Sequence, residues 1–280
     1  MIDARCLLFT PANKPERFNK AKETGADGLI IDLEDAIALK DKDSARGIVV
    51  NYLKNLKKDK QSTFIYALRI NSIKTRAGLK DLCALIEAEV RPDVLILPKS
   101  EGGEEIEIIN AILSPDKVPI IPLIETAKGL KNVYQIAQSS NVTGIIFGGA
   151  DMAADLGAYM NWEPMLVPRS IIVQAAASAG ITAIDVPYLH LNDPDDSGII
   201  EETKRIKEMG YTCKLSIHPK HIKPINHTLS PTLEEINKAQ RIVVAYEYAH
   251  GNAIEVDGKM IDVPVYKSAK RILSLAKLEN

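Results

Sequence analysis

Eight short apolar runs recur along this 280-residue chain, and nearly every one stops at a charged or turn residue at the same relative point. Residues 6–9 run into Thr10-Pro11, 28–32 into Glu34-Asp35, 64–68 into Arg69, and 94–97 into Pro98-Lys99. Residues 120–124 end at Glu125, 144–147 at Gly148-Gly149-Ala150-Asp151, 182–184 at Asp185, and 215–217 at His218-Pro219. A strand buried on both faces reads as a continuous apolar run, and helical patterns of about a dozen residues fill the intervals. Strand and helix alternating eight times predict a TIM (β/α)8 barrel, whose strand C-termini open on one mouth. Polar residues at those ends, far apart in sequence, are expected to converge there.

The length suits one barrel of about 250 residues plus an extension. The expected division is a barrel over residues 1–222 and a helical C-terminal extension over 223–280. The extension is expected to dock on a neighbouring subunit or on the barrel's own mouth. Helices are expected at 15–24, 41–57, 79–88, 104–113, 129–137, 169–179, 199–209, 231–249 and 265–278, with a tight turn at 256–264. The lysine-rich stretch 54–60 reads as a solvated helix end.

Apolar residues make up 46% and charged residues 26%, enough for a sizeable core. The net charge of −2, with both signs interspersed, leaves no electrostatic footprint for nucleic acid or a membrane surface. No apolar stretch reaches the roughly 20 residues of a membrane span, and the N-terminus enters the first strand without a signal-type apolar segment. Cys6, Cys83 and Cys213 are odd in number and lack zinc-type spacing, so buried reduced thiols and a cytoplasmic location are expected.

Glu125 and Asp151 follow consecutive strands, which sets two carboxylates side by side. Such a pair repels, and either one pKa rises or a cation is recruited. An oxygen-only site with few protein ligands suits Mg²⁺, which keeps waters and borrows substrate oxygens. The plainer alternative is a pair of acids answering helix N-termini or lysines. Arg69 is suited to gripping a carboxylate bidentately, or else to bridging Asp32, Glu34 or Glu125. In Asp32-Leu33-Glu34-Asp35, at least one acid is expected to orient the site from behind, and Lys99 to neutralise these acids. His218 reads as a packed, hydrogen-bonded histidine rather than a base. Gly148-Gly149-Ala150 allows close backbone approach to a ligand.

The order of Leu7-Leu8-Phe9-Thr10-Pro11-Ala12-Asn13-Lys14-Pro15-Glu16-Arg17-Phe18, Asp32-Leu33-Glu34-Asp35-Ala36 and Arg69-Ile70-Asn71 resembles the citrate lyase beta-subunit-like family. So do Leu97-Pro98-Lys99, Leu123-Ile124-Glu125-Thr126-Ala127-Lys128-Gly129, Phe147-Gly148-Gly149-Ala150-Asp151, Ile217-His218-Pro219 and the stretch from Asp257 to Pro264. This family is a branch of the HpcH/HpaI aldolase superfamily, and stand-alone CoA-thioester lyases are among its members. The resemblance implies Mg²⁺ held by Glu125 and Asp151, with Arg69 on the substrate. It also places Arg17 where family members meet the CoA end; with the strand-end reading, Gly149, Ala150 and Asp185 are further candidate substrate contacts, and Asp32, Glu34, Asp35 and Lys99 candidate outer support. It further implies a homotrimer in which Asp262 reaches a neighbouring subunit's site as the base. The reaction implied is carbon–carbon cleavage of a 3-hydroxyacyl-CoA, such as (3S)-citramalyl-CoA or malyl-CoA, to acetyl-CoA and a 2-oxo acid. Related possibilities are the citryl-thioester step within a citrate lyase complex, a malyl-CoA thioesterase, and a malate-synthase-like condensation. A non-catalytic partner subunit is the alternative of another class.

Overall fold

A computed structural model describes residues 2–57 and 62–276; Lys58, Lys60 and the end of the last expected helix, residues 277–278, lie outside it. The chain forms two compact units, Met1–Ile225 and Asn226–Asn280.

The first unit is a closed barrel of eight parallel strands. They are β1 (Cys6–Pro11), β2 (Gly28–Asp32), β3 (Ile65–Arg69), β4 (Val94–Leu97), β5 (Ile120–Ile124), β6 (Gly144–Phe147), β7 (Thr182–Asp185) and β8 (Cys213–Ser216). Each pairs with the next, and β8 closes on β1 through Leu7 and Leu215. Side chains alternate faces along a strand. One set, including Leu7, Ile30, Ala67, Ile96, Ile121, Leu123, Ile146, Ile184 and Leu215, packs into a single core cluster. The alternate set, including Leu29, Ile31, Leu68, Leu95 and Ile120, is equally buried. Burial on both faces is why the strands read as unbroken apolar runs.

The barrel's helices are α1 (Lys42–Asn55), α2 (Arg76–Glu87), α3 (Gly103–Ile112), α4 (Ala127–Lys131), α5 (Val133–Ala137), α6 (Gly149–Asp155), α7 (Trp162–Ala179) and α8 (Ser197–Met209). Two expectations need correction. Residues 15–24 form two 3₁₀ segments, Pro15–Arg17 and Asn19–Thr24, rather than one α-helix. The expected helix over 129–137 is interrupted at Asn132, which ends α4 and begins α5. Further, α6 and α9 (Ile222–Leu229) have no counterpart among the expected helices, and α7 starts seven residues before its expected first residue, 169.

In the second unit, α10 (Leu233–Tyr248) starts with a capping box: Thr232 Oγ1 accepts from Glu235 N at 3.1 Å and Glu235 Oε2 accepts from Thr232 N at 2.7 Å. The expected turn is a hairpin of β9 (Ile254–Val256) and β10 (Lys259–Ile261). Its Asp257-Gly258 tip has φ of 52° and 73°, the paired positive values a tight two-residue hairpin requires. α11 (Val263–Ala276) then packs with α10 around Ala239, Ile242, Tyr246, Ile261 and Ala269. Among the described residues, no helix is long and apolar enough to cross a membrane.

Gly28 shows how closely the strands are seated. A Cβ there would lie 2.7 Å from Ile65 O and 2.8 Å from Leu7 Cδ2, whereas one at Gly47 in α1 would meet nothing within 4 Å. Gly28→Ala is expected to lower stability by about 1–3 kcal/mol through overpacking. Gly47→Ala should raise it by about 0.5–1 kcal/mol through helix propensity. Urea unfolding midpoints of the two variants check the contrast.

Candidate active site

The strand ends open on a cavity of about 870 Å³, whose charged lining includes Arg17, Lys20, Asp32, Asp35, Arg69, Glu125 and Asp151. Parity explains how four positions reach it. Ile30, Ala67, Leu123 and Ile146 belong to the core cluster inside the barrel. Two residues further on, on the same face, stand Asp32, Arg69, Glu125 and Gly148.

Asp32 and Arg69 sit opposite each other in register on β2 and β3. Arg69 Nε and Nη2 donate to Asp32 Oδ1 and Oδ2, each at 2.7 Å. Nη1 lies 3.1 Å from Glu34 Oε2 and 3.2 Å from Asp35 Oδ2. The guanidinium also covers the Phe9 ring at 4.9 Å. Burial opposes its charge, but hydrogen bonding by Asp32 and the charges of Asp32, Glu34 and Asp35 hold its pKa above the usual arginine value. Asp32 additionally accepts from the N–H groups of Glu34 at 2.9 Å and Ala36 at 3.2 Å. Lys42, a residue sequence reasoning did not single out, clamps the same turn: its Nζ donates to Leu33 O at 2.7 Å and Glu34 O at 2.6 Å.

Glu125 is only 2% exposed, and its Oε1 accepts from Lys99 N at 2.7 Å. Burial, then the charges of Glu34 and Asp151, push its carboxyl up to about 8. Lys99, in the left-handed region with φ of 52°, brings its Nζ to 3.2 Å from Glu34 Oε1. It thus touches two of the acids, one by its side chain and one by its backbone. Asp151 lies in the first turn of α6. Four residues later Asp155 Oδ2 accepts from Ala127 N at 2.7 Å, which ties α6 to the start of α4 just beyond Glu125. Gly148 is required at this junction, since a Cβ would come within 2.5 Å of Glu125 Cβ.

Gly149 and Ala150 line the cavity, as do Arg17 and a second rim cation, Lys20, three residues on. The three-residue spacing of these cations was the available signal for Lys20, because residues three apart share a face of the helix expected over 15–24. Met160, which fills the space beside Gly149, carried no comparable signal.

Three expectations are corrected here. Asp185 does not line the cavity with the substrate-binding candidates; it is fully buried between Lys214 Nζ at 2.7 Å and Arg169 Nε at 2.9 Å. Ile184 faces the interior, so Asp185 faces the helix layer, where α7 supplies Arg169. His218 is hydrogen-bonded, its Nδ1 accepting from Lys220 N at 3.2 Å, but it is exposed on the cavity wall rather than packed. Cys6 and Cys213 are buried thiols, whereas Cys83 is exposed.

Residues 5–219 match the HpcH/HpaI aldolase/citrate lyase family profile. The chain belongs to this family. It is 32% identical to citrate lyase subunit beta of Leuconostoc mesenteroides subsp. cremoris, over 97% of this chain and 93% of that protein. It is 30% identical to mitochondrial citramalyl-CoA lyase of Rattus norvegicus, over 98% of this chain and 86% of the relative. Among solved structures it resembles the protein CitE of Mycobacterium tuberculosis in complex with magnesium, acetoacetate and coenzyme A. That match has a TM-score of 0.79 and 30% identity, and it covers 97% of each chain.

Two outcomes test the geometry of this HpcH/HpaI family member. Gly148→Ala should force Glu125 from its place and cost about 1–3 kcal/mol, read from the urea midpoint. The Asp185 cluster should shape the pH profile. Burial opposes the Lys214 charge, but Asp185 and Glu202 outweigh it and raise its pKa above 10.5. Its contribution is therefore full below pH 10.5 and is lost as pH climbs through the raised value. Asp185 is held below 3.8 by Lys214 and Arg169 despite burial, so its contribution is full above that pH and is lost on acidification. Lys214→Met is expected to cost about 3–5 kcal/mol at neutral pH and to flatten the alkaline limb. Urea titrations at neutral pH and at about pH 11 check both effects.

Proposed function

We propose that the chain is a Mg²⁺-dependent carbon–carbon lyase acting on a 3-hydroxyacyl-CoA whose hydroxyl-bearing carbon also carries a carboxylate. (3S)-Citramalyl-CoA is the first choice and malyl-CoA the second, giving acetyl-CoA and a 2-oxo acid. The likeness to citramalyl-CoA lyase and to CitE with magnesium and coenzyme A supports this. The observation that carries it is the convergence of Arg69, Glu125 and Asp151 on one cavity, with the Glu125 carboxyl pushed up to about 8 by burial and neighbouring acids.

The residues fit Mg²⁺. Among the described residues, no three His, Cys, Asp or Glu side chains form a protein-only cage. A pair of carboxylates with substrate oxygens completing the shell is what Mg²⁺ uses. Glu125 and Asp151 would hold the ion, and their mutual repulsion would be relieved by it. When bound, Mg²⁺ supplies Lewis-acid stabilisation of charge developing on substrate oxygens.

Arg69, anchored by Asp32, holds the substrate carboxylate. Leu8, Leu123, Ile146 and Leu215 give the inner cavity an apolar wall that excludes water. Arg17 and Lys20 meet the phosphates of CoA at the rim. In a homotrimer, Asp262 from a neighbouring subunit takes the hydroxyl proton. The electrons of that O–H bond form the oxo group, and the carbon–carbon bond breaks toward the thioester. The resulting enolate then takes a proton to become acetyl-CoA. The three free thiols accord with a cytoplasmic setting.

The test offers purified protein citramalyl-, malyl- and citryl-type CoA thioesters with Mg²⁺, with products identified by mass. Acetyl-CoA and pyruvate are expected from the first; no turnover of any free CoA thioester would refute the proposal. Glu125→Gln or Asp151→Asn should weaken Mg²⁺ binding by more than the about 10–100-fold typical of an outer-shell partner. Mg²⁺ must displace a proton from Glu125 below its raised pKa, so calorimetric Mg²⁺ affinity should fall as pH drops below about 8. Asp262 Oδ1 also accepts from Val265 N at 3.3 Å, in the first turn of α11. Asn caps a helix as well as Asp does, so Asp262→Asn isolates the base role. Loss of turnover with an unchanged melting temperature is expected, and full activity would remove Asp262 from the mechanism.

A further inference from the structure

Arg69 meets three carboxylates, yet only one of them uses its hydrogen-bonding fork. Nε and Nη2 are taken by Asp32 at 2.7 Å each. Nη1 stands at ion-pair distance from Glu34 Oε2 and Asp35 Oδ2, 3.1 and 3.2 Å, without a directed hydrogen bond to either. Glu34 Oε2 is buried and receives no hydrogen bond. Nη1 is therefore not committed to a hydrogen bond with either acid.

These acids differ in what else holds them. Asp32 is fixed by two backbone N–H groups as well as by Arg69. Glu34 is buried and also pairs with Lys99. Asp35 has no other hydrogen bond or ion pair among the described residues. Its side chain is 57% exposed, and it lines the same cavity as Arg69. It can swing into water at little cost, whereas Asp32 and Glu34 cannot leave without breaking buried bonds.

We propose that Asp35 is a displaceable charge gate on Arg69, standing beside Nη1 where the substrate carboxylate binds and setting the affinity for the 2-oxo acid end. This rests on the reading of Arg69 as the carboxylate holder. A substrate carboxylate approaching Nη1 meets a like charge that must move aside, which weakens binding. When the oxo acid leaves, Asp35 restores the charge balance around Arg69, so the same residue lowers affinity and eases release. Asp35 is thus a specificity-determining residue rather than a catalytic one. It should act only on the carboxylate end and leave thioester recognition alone.

The experiment measures pyruvate and acetyl-CoA binding calorimetrically to the full-length protein with Mg²⁺. Wild type is compared with Asp35→Asn and Asp35→Ser, and melting temperatures check folding. Both Asp35 variants are expected to bind pyruvate about three- to tenfold more tightly, as expected for removing one nearby like charge. Their acetyl-CoA affinity should be unchanged, and KM for citramalyl-CoA should fall. Unchanged or weaker pyruvate binding in both folded variants overturns the gate while leaving the lyase reading intact. Arg69→Lys separates the two ideas. If it binds pyruvate as wild type does, or if neither binds, the carboxylate-holder reading fails and the gate with it.

Discussion

A guanidinium buried at the ends of two adjacent strands must be neutralised where it stands, and Asp32 does this with both carboxylate oxygens. The register of β2 and β3 puts the two residues opposite each other, so barrel closure itself builds the pair. Much of the mouth follows from it. Asp32 organises the next turn through the amides of Glu34 and Ala36, and Lys42 holds the carbonyls of Leu33 and Glu34 from behind. That turn presents Glu34 to Lys99, whose backbone N–H holds Glu125. A continuous polar chain thus runs across β2, β3, β4 and β5. Each member is costly to bury alone and tolerable only because the next is present.

The β5–β6 side of the mouth is fixed differently, by sterics and one long-range hydrogen bond. Gly148 lets the backbone after β6 pass close to Glu125, and Asp155 reaches back to Ala127. Asp151, between them on α6, therefore sits on a short helix held near both ends to the β5 loop. This rigidity matters for a pair of repelling carboxylates, which would otherwise drift apart and remove the Asp151 share of the charge that, after burial and Glu34, raises the Glu125 pKa.

Much of this was legible in the chain. The eight runs became eight strands, four with the bounds read from hydropathy alone: β2, β4, β5 and β6. What hydropathy could not show was which way a strand-end residue points. Asp185 and Glu125 look alike in sequence, each following an apolar run. Glu125 is two residues past interior Leu123, whereas Asp185 directly follows interior Ile184 and so faces the helices. Its register partner Lys214, flanked by interior Cys213 and Leu215, faces the same way. The interrupted α4–α5 and the 3₁₀ segments after β1 were missed for another reason. Hydrophobic spacing over fewer than ten residues does not separate a 3.6-residue period from a tighter one. The gating arrangement around Nη1 was also invisible, because it depends on hydrogen-bond direction rather than on residue type.

The core cluster and the cavity share residues: Leu123, Ile146 and Leu215 belong to both. The top layer of the hydrophobic core is therefore also the floor on which a ligand rests. Any change in volume there is registered twice, once in folding free energy and once in the shape offered to the acyl group. Selection for a new acyl substituent and selection for thermal robustness act on the same few methyl groups. A lineage exchanging one substrate for another would have to rebuild stability elsewhere in the barrel.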